Sequence, residues 1–260
     1  MKKVIVVSLG GSLIIPDKID IKFLKELKKV IKKNTKKYKF VIVCGGGSTA
    51  REYIKGLEKE KLKKKLFHQG LLGIATTRLN ARFMTYFFGE DTNKGIPHDM
   101  GEVKNMLRLY DVVFCGALRY AKDETSDGTS AKLAKFFNTE FINLTNVTGL
   151  YDKDPKELCK SRLPSKAIKE VDKQRRKGRL SEGNRRCPRN AKFIPKITWK
   201  DFNKMANAQG FKPGQHFVLD QSASRIIMKY KISTYIIGNN LKNLDNILNN
   251  KEFKGTKVSD

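Results

Sequence analysis

The feature that most constrains this chain is a pairing of strand and glycine that occurs twice. In Val41–Arg51 (VIVCGGGSTAR), a run of strand-forming residues from Phe40 to Val43 leads into three successive glycines and then a helical pattern opened by Ser48. A short apolar, β-rich run ending in glycine before a helical pattern is the strand–turn–helix unit of a parallel α/β sheet. Three glycines in a row strip the turn of side chains, so backbone N–H groups can close around an anion. The N-terminus of the following helix adds partial positive charge at the same place. Lys3–Leu9 (KVIVVSL) repeats the design: it ends in Gly10-Gly11-Ser12, and a helical pattern follows at Asp20. One such turn serves equally well as a plain tight turn. Two of them, at the ends of two strands, can hold two phosphate groups, one on each of two reactants.

A chain of 260 residues can bury a substantial core. Its longest apolar runs, such as Val4–Val7 and Val112–Cys115, are too short to cross a bilayer, and no N-terminal segment has the make-up of a secretory signal. Cytoplasmic residence is the expectation. The four cysteines (Cys44, Cys115, Cys159, Cys187) form no CxxC pair and read as reduced thiols, so no metal site is expected from them. Charge is the outlier: 54 basic residues against 26 acidic ones give a formal net charge of +28. Such a field attracts polyanions from nucleotides to RNA. The lysines are spread over helix surfaces, as in Lys22, Lys25, Lys28, Lys29, Lys32 and Lys33, which is the pattern of a solvated face.

Along the chain, Asp20 is a suitable N-cap for a helix presenting Phe23, Leu24, Leu27, Val30 and Ile31 on one face. A helix carrying Ala50, Arg51, Tyr53 and Ile54 follows the second glycine turn, and Lys55–Lys65 reads as a charged helical connector. Further helices are expected over Gly70–Phe88 and Glu102–Leu109, then a strand at Asp111–Cys115 ending in Gly116. A polar loop (Ala117–Asp127), a helix holding Ala131, Ala134 and Phe137, and a strand at Glu140–Thr145 come next. Lys156–Gly214 is looser, with a basic stretch at Lys173–Arg189 that has the composition of a mobile surface insertion. Trp199–Ala208 is helical, Asp220 or Ser222 caps a helix through Tyr230, and the Thr234–Ile237 strand precedes a helix through Leu248. Repeated strand–helix–strand spacing predicts a doubly wound, mainly parallel sheet covered on both faces.

Five motifs in fixed order carry a more specific reading: SLGGS at 8–12, CGGGSTAREYI at 44–54, TTRLNAR at 76–82, TNVTGLYDKDP at 145–155 and VLDQSASRII at 218–227. With a closing GTKV at 255–258, the series resembles the archaeal-type uridylate kinases of the amino-acid kinase superfamily. The resemblance covers Met1–Pro155 and His216–Asp260. It implies a three-layer α/β/α sandwich with a central, mainly parallel sheet, assembled as a homohexamer. The implied activity is Mg²⁺-dependent transfer of the ATP γ-phosphoryl group to UMP, giving UDP in pyrimidine nucleotide biosynthesis. It implies one domain over residues 1–260, with an acceptor-binding lobe at 1–140, an ATP-binding lobe at 141–260 and a basic insertion at about 156–214.

By position, the resemblance makes Gly11 and Ser12 contacts for the ATP phosphates and Gly46 a contact for UMP, with Gly47 and Arg51 on the ATP side. Arg51, Gly11 and Gly47 are the implied catalytic set, and Thr145, Asn146, Tyr151 and Asp154 the adenine-nucleotide pocket. Taken alone, Arg51 reads equally as a helix-surface charge, Tyr151 as a core aromatic and Asp154-Pro155 as a turn. The family's loop to the acceptor phosphate ends in a Thr-Thr-Asp triplet; here Thr125-Ser126-Asp127 keeps the hydroxyls, after a longer Ala117–Glu124 segment. The acidic residue that grips the UMP ribose in the family is replaced by Gly70, with His68 and Gln69 as neighbours that could substitute for it. Many amino-acid kinases carry a lysine where Ser8 stands, which leaves the cationic role to Arg51 and metal. Asp220 has a counterpart in the family's nucleotide lobe and reads equally as a helix N-cap. The competing readings are a binding or storage protein on the same fold and a kinase for another small acceptor. Contact with nucleic acid is expected to be weak and to run through the basic insertion.

Overall fold

The structure is a computed structural model that describes residues 2–120, 125–152, 191–208 and 218–260. Its backbone falls into two compact units, Met1–Gly149 with Pro195–Asp260, and Leu150–Ile194. The first is built on five parallel strands: β1 (Lys3–Leu9), β2 (Tyr38–Cys44), β3 (Val112–Cys115), β4 (Phe141–Leu144) and, late in the chain, β8 (Thr234–Ile237). The second contributes a two-stranded antiparallel ladder, β5 (Leu150–Tyr151) with β6 (Phe193–Ile194). Two short strands complete the main sheet: β7 (Lys196–Ile197) and β9 (Thr256–Val258), the latter antiparallel to β8.

Strand order in the main sheet is β3-β2-β1-β4-β8-β9-β7. Because β1 to β3 are laid down on one side and β4 onward on the other, the order reverses between β1 and β4. In open α/β sheets ligands bind outside the carboxyl ends of the strands at such a switch point. Both glycine turns lie at that end, after β1 and β2.

The alternation of side chains along β1 sorts the two faces. Ile5, Val7 and Leu9 join Phe40, Ile42, Phe114, Ile142 and Ile237 in a core closed by three helices. These are α2 (Ile21–Asn34), α4 (Lys65–Phe88) and α9 (Leu241–Leu248). The helix α2 presents Phe23, Leu24, Leu27 and Ile31 inward, while Lys22, Lys25, Lys29, Lys32 and Lys33 stay exposed. Asp20 caps it, accepting from the Phe23 amide at 3.0 Å. The opposite sheet face is covered by α6 (Ser126–Phe136), which packs against α8 (Gln221–Tyr230), in turn packed on α7 (Trp199–Ala208). The three-layer α/β/α sandwich is thereby observed, with a mostly parallel central sheet.

Several elements differ from the sequence expectations. A short helix, α1 (Gly11–Ile14), begins inside the first glycine turn, well before Asp20. The helix α3 (Gly47–Glu58) stops before the lysine run at 59–65, where like charges oppose continuation, and α4 starts at Lys65, not Gly70. The helix α5 (Met100–Leu109) is capped by Asp99, whose carboxylate accepts from the Glu102 amide at 2.9 Å. The strand at GTKV and its neighbour β7 are visible only in the fold. Cys44 and Cys115 are free and buried, and burial pushes both thiols up, that of Cys115 to about 12. Cys159, Cys187, Lys173–Arg189 and most of Lys156–Gly214 lie outside the described residues.

The packing of α4 on the sheet ends in Phe88, almost wholly buried and edge-on to Phe114 at 4.7 Å between ring centroids. Replacing Phe88 by alanine is expected to cost about 3–5 kcal/mol of unfolding free energy. Urea denaturation followed by circular dichroism measures this, and a loss below about 1 kcal/mol would contradict the packing described.

Candidate functional site

The two glycine turns touch each other through their backbones. A Cβ on Gly11 would stand 2.0 Å from the Gly47 amide nitrogen and 2.7 Å from the Gly45 carbonyl carbon. A Cβ on Gly45 would stand 2.5 Å from the Gly11 nitrogen. Gly47 has φ +68°, a conformation that glycine adopts without strain, and this lets the chain enter α3 directly from the turn. Further bonds lock the pair: the Gly45 amide donates to Leu9 O at 2.9 Å and the Ser48 amide to Ile15 O at 3.1 Å. Buried Asn80 of α4 donates its side-chain amide to Gly45 O at 2.7 Å. Gly11, Ser12, Gly46, Gly47 and Arg51 therefore share one small region at the ends of β1 and β2. Arg51 is half-buried one turn into α3 and has no hydrogen bond or ion pair among the described residues.

The end of β4 adjoins the first turn. The Gly10 amide donates to Leu144 O at 2.9 Å, and Thr145 Cα lies 3.7 Å from where a Gly10 Cβ would project. Thr145, half-buried, and Asn146, exposed, thus stand beside Gly10 across the switch point. Tyr151 belongs to the second unit, where its ring meets Phe193 edge-on at 5.5 Å. Asp154 lies outside the described residues.

On the other side of the turns, Gly46 lies between α3 and α4: a Cβ on it would stand 2.4 Å from the Ala50 Cβ and 3.9 Å from the Thr76 Cβ. Gly70 lies six residues earlier on α4, and the edge of the Tyr120 ring occupies the space a side chain there would need, 2.7 Å from a Cβ. Gln69 is buried with its amide donating to Ile54 O at 3.0 Å, so it is committed to α3.

Thr125 and Ser126 begin α6, and here the fold gathers residues that local sequence did not connect. Asp220 caps two helices at once. Its Oδ1 accepts from the Ala223 amide at 2.6 Å, at the start of α8. Its Oδ2 accepts from the Thr125 amide at 2.9 Å, the Thr125 hydroxyl at 2.6 Å and the Gly128 amide at 3.3 Å, at the start of α6. Buried Ser8, on the β1 face that meets α6, donates its hydroxyl to Asp127 Oδ1 at 2.8 Å. Removal from water pushes the Asp127 carboxyl up, to about 7; the nearby Asp220 charge adds to this, and the Ser8 bond opposes it. Among the described residues no group of three or more His, Cys, Asp or Glu side chains converges.

Paired glycine turns and a helix N-terminus at the switch point of a parallel sheet define a phosphate-binding α/β protein. The chain belongs to the amino acid kinase family, whose model matches residues 3–183. It is 29% identical to the uridylate kinase of Pyrococcus abyssi over 235 residues, covering 90% of this chain and 89% of that protein. Identity to the uridylate kinase of Archaeoglobus fulgidus is 30% over 256 residues, 98% and 97% of the two chains. The crystal structure of uridylate kinase from Archaeoglobus fulgidus superposes over the whole of both chains with a TM-score of 0.74. The UMP kinase structure from Ureaplasma parvum, 21% identical with a TM-score of 0.68, shares the fold.

The Gly11 contact gives a paired prediction. Gly11→Ala forces the turns apart and is expected to destabilise by about 1–3 kcal/mol. Gly56→Ala, at a position in α3 where a Cβ meets nothing within 4 Å, is expected to stabilise by about 0.5–1 kcal/mol. Thermal unfolding of both variants checks the signs; equal shifts would refute the contact. Asp220→Ala removes acceptors from the starts of two helices and is expected to cost about 2–4 kcal/mol, more than a single cap is worth. A loss under about 1 kcal/mol in denaturant titration would contradict the double cap.

Proposed function

We propose that this chain is an ATP- and Mg²⁺-dependent UMP kinase, moving the ATP γ-phosphoryl group to UMP to give UDP in pyrimidine nucleotide biosynthesis. The observation that carries the reading is the backbone contact between the two glycine turns at the switch point, which puts two anion cradles within one small region. The uridylate kinase relatives over nearly the full chain supply the acceptor.

Phosphoryl transfer asks for positioning and neutralisation of charge spreading over the transferred group, and little covalent chemistry from the protein. A phosphate oxygen of UMP is itself the nucleophile. In this reading the Gly11 and Ser12 amides hold ATP phosphates, Gly46 holds the UMP phosphate, and Gly47 lies on the ATP side. Arg51 projects one helical turn past the second cradle with its guanidinium uncommitted among the described residues, ready for the transferring phosphate as a planar, bidentate donor. Thr145 and Asn146 read the adenine nucleotide beside Gly10; the sequence resemblance adds Tyr151 and Asp154 as adenine-nucleotide contacts. Ser126 is assigned to the acceptor by position, together with Thr125, whose amide and hydroxyl donate to Asp220.

Mg²⁺ binds through one or two carboxylates together with substrate phosphates and water. The donors present fit that pattern: Asp220 has its oxygens taken by four donors, whereas Asp127 spends only Oδ1, on Ser8. Asp127 would hold the ion, which supplies neutralisation of phosphate charge.

Cytoplasmic residence is part of this reading; no helix of the described residues is long and apolar enough to cross a membrane. The homohexamer comes from the family resemblance; Leu71, Leu79 and Tyr86 of α4, 42%, 61% and 72% exposed, offer an apolar surface for self-association. Residues 1–140 form the acceptor lobe and 141–260 the ATP lobe, and the basic insertion adds weak, salt-sensitive attraction for polyanions.

A coupled ADP-release assay over UMP, CMP and isopentenyl phosphate tests the reading: turnover is expected with UMP above the others. No turnover with any of them would favour a binding or storage protein. Arg51→Ala is expected to lower kcat/KM by about 2–4 kcal/mol of transition-state stabilisation. Stability should hold within about 0.5 kcal/mol, as for other uncommitted surface charges. An unchanged kcat/KM removes Arg51 from the site.

A further inference from the structure

Two glycines one turn apart, Gly70 and Gly73, lie on the same face of α4. Glycine inside a helix is costly, so such a pair points to a close approach. The two positions differ. At Gly73 a Cβ would meet nothing within 4 Å, whereas at Gly70 it would meet the Tyr120 ring. That ring is 39% exposed and packs edge-on against Phe67, with centroids 4.8 Å apart. The backbone leading to it is clamped to α4. The Ala117 amide donates to Thr77 Oγ1 at 3.0 Å, Arg78 Nε donates to Ala117 O at 3.2 Å, and Arg78 Nη2 donates to Leu118 O.

This bare helix face is continuous with the second glycine turn. Thr76 stands beside Gly46, and the six residues back to Gly70 span about 9 Å of helix. A nucleotide with its phosphate at Gly46 would lay its sugar and base along this face, toward the ring. What α4 does not offer is a carboxylate: it contains no Asp or Glu, and the buried Gln69 amide is committed to Ile54 O. The Tyr120 hydroxyl has no hydrogen-bond partner among the described residues.

We infer that Tyr120 is a specificity-determining residue for the acceptor: its ring closes the glycine-stripped face of α4 and holds the nucleoside by aromatic and van der Waals contact, with no α4 carboxylate to read the sugar 2′-hydroxyl. The inference rests on the UMP kinase reading. Sites built to hydrogen-bond a hydroxyl reject the analogue lacking it strongly, whereas apolar contacts discriminate weakly. UMP and dUMP are therefore used with similar efficiency.

The test compares wild type, Tyr120→Phe, Tyr120→Ala and Gly73→Leu by steady-state kinetics and by calorimetric titration of UMP. Wild-type kcat/KM for UMP and dUMP is expected to agree within about threefold. Tyr120→Phe keeps the ring and should hold the UMP KM within about twofold, while Tyr120→Ala raises it about tenfold or more. In both, kcat and the KM for ATP stay within about twofold, as for a contact made equally in ground and transition states. Gly73→Leu puts a side chain into the open face, where a Cβ meets nothing within 4 Å, and should raise the UMP KM comparably, which keeps the test decisive should Tyr120→Ala fold poorly. A preference for UMP over dUMP above about thirtyfold would overturn the inference, as would a UMP KM unmoved in Tyr120→Ala or in folded Gly73→Leu. Calorimetry separates the two readings. Weakened UMP binding in Tyr120→Ala supports the acceptor assignment even without turnover, whereas absent turnover in wild type refutes the kinase alone.

Discussion

The structure depends on a contact in which no side chain takes part. Gly11 and Gly45–Gly47 meet backbone to backbone, closer than any residue with a Cβ would permit. Much of the surrounding framework is arranged to hold that approach. Parallel pairing of β1 with β2 sets the ends of both strands level, with Leu9 opposite Cys44. Asn80 reaches from α4 to fix Gly45, and Ile15 O takes the Ser48 amide so that α3 leaves the turn at the required angle. Hydrogen bonds of this kind contribute only about 1 kcal/mol each, but in a buried region their loss leaves an unsatisfied group, which is why they hold the turns rigidly.

A second organising element is a single carboxylate. Asp220 accepts four hydrogen bonds from the starts of α6 and α8, two helices distant in sequence, and so ties the residues after β3 to those before β8. The favourable interaction of a negative charge with two helix N-termini offsets its partial removal from water. Asp127, in the first turn of α6, shares the neighbourhood; burial and then the Asp220 charge push its carboxyl up, while its bond to Ser8 pulls the other way.

What was legible in the sequence was what neighbouring residues decide. Strands of β-branched residues ending in glycine, the apolar face of α2 and the Asp20 cap all follow from period and local chemistry. The parts that escaped are decided by residues far away. GTKV is too short to declare itself, and β9 exists because β8 offers an open edge to pair with. Asp220 was readable as the cap of α8, but nothing in the local sequence discloses that it also serves α6. Gly70 looked like a lost carboxylate; the structure puts a tyrosine fifty residues later into the vacated space, and it ties the neighbouring Gln69 to Ile54 O. The early start of α4 was missed because Gly70 suggested a boundary, although nothing between Lys65 and Gly70 breaks a helix.

The strand order at the far edge of the sheet bears on how the molecule comes together. The strand β7 is made before α7, α8, β8 and α9, yet its pairing partner is β9, and β9 in turn needs β8. That edge therefore cannot close in the order in which the chain is synthesised. Lys196–Ile197 must wait, its backbone unpaired, while some sixty further residues emerge and arrange themselves, and loop closure over such separations is slow. The parallel half of the sheet, in which β1 meets β2 across the short α1 and α2, is under no such delay. The β9–β7 margin can take its shape only once β9 has been made.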